Sequence, residues 1–75
     1  MSYKANVAQT LFSQPKTWID SADLGRVGGL DSSRRVRELR AEGLQIKTRR
    51  NPENPTTFQY QLSRMPAKRV VNQYV

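Results

Sequence analysis

The hydropathy of this chain changes period at Gly43, and that change limits its fold more than any other feature. Ahead of the glycine, "SSRRVRELRAEG" (residues 32–43) spaces Ser32, Val36, Leu39 and Gly43 three and four apart. At about 100° per residue they fall on one side of a helix, the side that must face a core. Beyond the glycine, "LQIKTR" (44–49) alternates Leu44, Ile46 and Thr48 with Gln45, Lys47 and Arg49. "FQYQL" (58–62) likewise alternates Phe58, Tyr60 and Leu62 with Gln59 and Gln61. Period two in two neighbouring runs predicts an antiparallel hairpin with one buried face. The connection "RNPENPTT" (50–57) contains Asn-Pro twice, which is too much for a tight turn, so an extended exposed loop is expected.

Upstream, "KANVAQTLFSQ" (4–14) carries Val7, Ala8, Leu11 and Phe12 on one helical stripe and stops before Pro15. "TWI" (17–19) has room for a very short strand, and Trp18 is expected to fill the core rather than stack on a base. In "DSADLGRVGGLD" (20–31), Asp20 or Ser21 can cap a helix of about two turns with Asp23 in its first turn and Leu24 and Val27 facing inward. Gly28-Gly29 break it, and Asp31 or Ser32 caps the next helix. Two helices joined by a tight glycine turn make a helix-turn-helix.

Composition narrows the function. Seventy-five residues form one small domain, which buries only about 60% of its unfolded surface. Without cysteine or histidine there are no disulfides, no thiolate or imidazole metal sites and no Cys or His catalysis. "GRVGG" lacks the spacing of a nucleotide loop, and capping accounts for Asp20 and Asp23, so neither an enzyme nor a cofactor is expected. No run approaches a membrane span and the N-terminus lacks a signal-like apolar core, so a soluble, unexported chain is expected. The net charge is +7, and nine of the thirteen basic residues are arginine, whose planar fork suits phosphates and guanine edges. Residues 26–50 hold eight basic side chains against three acidic, so five of the seven net charges lie in one third of the chain. That concentration points to a binding face, with nucleic acid as the expected partner; the resemblance below narrows it to double-stranded DNA.

The order helix, short strand, helix, turn, helix, hairpin is that of a winged helix-turn-helix. "GRVGGLDSSRRVRELRAEGLQI" leading to "FQYQL" resembles the small winged-helix proteins of bacteriophages and mobile elements, the pattern falling on Arg35, Val36, Leu39, Arg40, Gly43 and Ile46. The resemblance covers residues 4–62. It implies an α+β fold of three helices with a C-terminal β-hairpin wing, and a DNA-binding regulator in the cytoplasm of a bacterial host. It also leaves open an architectural factor of the excisionase kind and a module that binds a host protein. The domain is expected to span residues 1–62. A tail, 63–75, is expected to pack on the body, to form a homodimer through Val70, Val71, Tyr74 and Val75, or to be flexible; because the pattern is complete at Leu62, removal of residues 65–75 should spare the fold.

The candidate interface follows from helical geometry. Arg34 and Arg37 oppose the core side of helix 32–42, where a recognition helix meets base edges in the major groove. Ser33 can meet a phosphate near the helix start. Arg35 and Arg40, on the flanks, either contact phosphates or pair with Glu38 or Glu42. Lys47, Arg49 and Arg50 lead into the wing, either along the DNA backbone or as solubilising charge on an edge strand.

Overall fold

A computed structural model of the chain describes residues 2–74. Among these residues four helices and three strands form an α+β fold: α1 (Tyr3–Ser13), β1 (Ile19–Asp20), α2 (Ser21–Val27), α3 (Ser32–Ala41), β2 (Gln45–Arg50), β3 (Phe58–Arg64) and α4 (Lys68–Asn72). The strands pair antiparallel in the order β1-β3-β2. The predicted hairpin is therefore joined on its β3 edge by the short strand, with Ile19 opposite Tyr60 and Asp20 opposite Gln59.

Local signals mark several helix ends, though not the start of α2, where the Asp20 carboxylate makes no capping bond and accepts instead from Asn51 and Gln59. The Ser2 hydroxyl caps α1 by accepting from the Ala5 N–H at 3.0 Å. At the α2–α3 turn, Gly28 leaves no room for a side chain, since a Cβ there would lie 2.7 Å from Val7 and 2.9 Å from the Leu24 carbonyl. Gly29, at φ +75°, takes the left-handed turn that glycine allows. Leu30 follows at φ +74° and is 92% exposed. Gly43, at φ +103°, reverses the chain from α3 into β2.

The core gathers Val7, Ala8 and Leu11 of α1, Leu24 of α2, Val36 and Leu39 of α3, and Ile19, Leu44, Ile46, Tyr60 and Leu62 from the sheet region. Three expectations are corrected. Trp18 is only half-buried: in so short a strand Ile19 takes the inward position and pairs opposite Tyr60, leaving its neighbour to the outer face. Thr48 and Phe58 are exposed because the hairpin runs past the end of the core. The 51–57 connection is folded rather than extended, closed by N–H···O bonds from Asn51 to Thr57, Asn54 to Asn51 and Thr57 to Asn54. Trp18→Ala is accordingly expected to leave the fold standing and to cost about 1–2 kcal/mol, short of the roughly 3–5 for a fully buried Trp. Urea titration followed by far-UV circular dichroism measures it.

The last segment is part of the packed body. β3 continues to Arg64, α4 follows, and Tyr74 returns to the core at 4% exposure, its ring 5.9 Å from that of Phe12. Its hydroxyl donates to Glu42 and its carbonyl accepts from the Gln9 amide. Val70 also packs against the core. Val75 lies outside the described residues.

Tyr74 makes the fold sensitive to alkali. Burial first, and then its hydrogen bond to Glu42, push its phenol up to about 12 from the ordinary 10.0. The contribution is complete below about pH 10, and is lost as pH rises towards 12, where the unfolded chain has already released its proton. Tyr74→Phe should remove this alkaline loss, as urea midpoints compared at pH 8, 10 and 11 would reveal.

Candidate nucleic-acid interface

The exposed side of α3 is built from its start. The Asp31 carboxylate caps the helix, accepting from the Arg34 N–H and from the Ser33 hydroxyl, each at 3.1 Å. The backbone N–H foremost holds the Asp31 carboxyl below its usual range; desolvation opposes it, and the Ser33 hydroxyl and the charges of Arg37 and Arg34 add to the lowering. The Ser33 hydroxyl is thus engaged within the fold. Arg34 and Arg37 are both exposed, and among the described residues their side chains make no ion pair or hydrogen bond.

The flanking arginines are held. Arg35 donates to Glu38 at 2.8 Å, its guanidinium 5.8 Å from the centre of the Tyr3 ring and its side chain only 19% exposed. Arg40 reaches the sheet: Nε and Nη2 donate to the Ile46 carbonyl at 2.9 and 2.6 Å, and Nη2 to the Thr48 hydroxyl at 2.5 Å. Glu42 takes Lys4 and Tyr74 as partners instead. Those two donors, Lys4 first, hold its carboxyl below the ordinary value.

The hairpin divides the three remaining candidates between its two faces. Ile46, Thr48 and Arg50 share the face that looks towards α3, opposite Leu62, Tyr60 and Phe58. Arg50 lies 5.3 Å from the Phe58 ring and donates to the Pro55 carbonyl at 3.0 Å. Lys47 and Arg49 point from the other face. There Arg49 donates to Gln59 at 2.8 Å and stacks 4.3 Å over the Trp18 ring, while Gln59 donates on to Asp20 at 2.8 Å. The structure therefore leaves Arg34 and Arg37 exposed on α3, places Arg50 on the hairpin face towards it, and separates Lys47 and Arg49 onto the opposite face.

Between α3 and the hairpin runs an open cleft of about 390 Å³, with Val36, Phe58 and Tyr60 as its apolar walls and Ser33, Arg37, Arg40 and Thr48 at its polar edge. Sequence reasoning missed this cleft, because period two assigns Thr48 and Phe58 to the core; the length of the hairpin relative to the helices was the only signal that could have shown otherwise. No group of three or more His, Cys, Asp or Glu able to share a metal ion occurs among the described residues. None of their helices is long and apolar enough to cross a membrane. Comparison with known protein families, with curated proteins and with solved structures finds no match to this chain.

Proposed function

We propose that this chain is a winged helix-turn-helix regulator that binds duplex DNA sequence-specifically, with α3 in the major groove and the β2–β3 hairpin as its wing. One observation carries the reading: of the arginines on α3, the two opposite its core side are the two without a partner among the described residues. Unpaired guanidinium groups on a helix face are disposed for bidentate bonds to guanine and for phosphates. Arg35 and Arg40, by contrast, serve the fold, one on Glu38 and the other on the β2 backbone. Arg50 extends the cationic side along the hairpin. The apolar walls of the adjoining cleft suit a thymine methyl or a deoxyribose between two phosphates.

Selection of bound duplexes from a random pool tests the proposal. A single enriched motif supports it, and an unenriched pool that still binds reduces it to charge attraction. A second reading, docking on a host protein, is favoured by Leu30, an almost fully exposed apolar side chain that follows Gly29, against which the 57% exposed Tyr3 ring lies. Leu30→Asn separates the two. Asparagine tolerates the left-handed backbone at this position, so the variant should be more stable by about 0.5–1 kcal/mol and bind DNA unchanged. Loss of DNA binding in that variant would place the turn within the DNA interface.

A further inference from the structure

The outer face of the sheet, turned away from α3, carries its own set of unpaired cations. Lys16, Lys47 and Arg64 line one open trough of about 840 Å³ together with Pro15, Gln45 and Met65, and no acidic side chain lines it. Two irregularities of the backbone bring the three together. Strict alternation along β3 would put Arg64 on the inward side with Tyr60 and Leu62. A β-bulge intervenes: Ile46 pairs with Leu62 but Gln45 pairs with Arg64, so Ser63 is the extra residue and Arg64 emerges beside Lys47. Lys16 holds a left-handed conformation, φ +60°, that a residue with a Cβ adopts only under constraint. Its N–H donates to the Leu62 carbonyl at 2.9 Å, and its carbonyl accepts from the Gln61 amide at 3.0 Å. None of the three side chains makes an ion pair among the described residues.

Resting on the DNA-binding reading above, we propose that this trough is a second polyanion site, which takes the phosphodiester backbone of another duplex segment, so that one chain bridges two duplexes. A trough spread over three chain segments is too open to enclose a single small anion. Its cations, with Gln45 and the Ser63 segment between them, offer charge and donors, and Pro15 and Met65 add apolar surface on which a deoxyribose can rest. Such a surface follows a backbone without reading sequence. A chain with the α3 face on one side and this trough on the other can hold two duplexes at once.

The test uses two duplexes, one carrying the selected motif and a fluorescence donor, the other of unrelated sequence and carrying an acceptor. The chain is kept at concentrations where sedimentation shows a monomer. Energy transfer should appear on adding the protein and fade steeply with salt. The triple variant Lys16→Gly, Lys47→Gln, Arg64→Gln should lose at least ten-fold in transfer, with affinity for a single duplex changed less than about three-fold. Lys16→Gly also relieves the left-handed strain, and Lys47→Gln alone, at an exposed strand position, should halve the transfer with no change in melting. Tight single-duplex binding by the wild-type monomer without transfer would overturn the bridging proposal and leave the DNA-binding reading intact. Transfer that persists in the triple variant would overturn it as well, as would replacement of the second duplex by an acidic polypeptide that binds the trough more tightly. Absence of any duplex binding would remove both readings together.

Discussion

Truncation after Arg64 is expected to unfold the chain. The cut removes α4 and with it Val70 and Tyr74, which seal one side of α1 and tie α1 to the end of α3 through Glu42. Replacing a fully packed aromatic ring by a methyl group costs about 3–5 kcal/mol. The total stability of a chain this length is only about 4–11 kcal/mol. Tyr74→Ala alone should therefore take away a large share of the stability, and the truncation more. Tyr74→Phe keeps the ring against Phe12 and should lose about 1 kcal/mol at neutral pH, the worth of the bond to Glu42. Far-UV circular dichroism and urea midpoints give all three values. A truncated chain that melts like the full one would show that the α1 face is stable without its cover.

The arginines of α3 should divide by mechanism. Arg34→Ala and Arg37→Ala are each expected to cost about 1–3 kcal/mol on the preferred duplex and little on a scrambled one, with stability unchanged. Arg50→Ala should weaken both duplexes alike and flatten the dependence of log K on log salt by about 0.9. Arg35→Ala and Arg40→Ala should register first in the urea midpoint, because they remove the partners of Glu38 and of the Ile46 carbonyl. Titrations on both duplexes at several salt concentrations, set beside melting curves, separate the sets. Equal losses on cognate and scrambled DNA for Arg34→Ala and Arg37→Ala would end the assignment of α3 as the reading helix.

The elements that hold the sheet and α3 together were legible in the sequence because each repeats its signal. Ser32, Val36 and Leu39 mark one side of α3 over two turns, and all three are buried. Ile46, Tyr60 and Leu62 mark one face of the hairpin in the same way. Signals that do not repeat were not legible. A strand of two residues has no phase to read, so nothing in the sequence shows that Ile19 points inward and leaves Trp18 half-buried. Val70 and Tyr74 lie in one turn of helix and its exit, too short a run to show a stripe, which is why the final segment looked like an appendage. Alternation says which face a side chain takes only until a bulge inverts it, and Arg64 lies just beyond one. Partners, too, were hidden: no spacing rule connects Arg40 to a carbonyl six residues on, or Arg49 to Trp18 across the sheet.

The guanidinium of Arg40 ties α3 to β2 at two points, the Ile46 carbonyl and the Thr48 hydroxyl. The angle between helix and hairpin is therefore settled during folding, before any partner arrives. A surface ordered in advance gives up little conformational freedom on docking, and encounter with different partners then proceeds at similar speed. Discrimination passes to the lifetime of the complex, so a well-matched partner is one that leaves slowly. Cutting the Arg40 tie would hand part of that lifetime back to the entropy of a swinging hairpin.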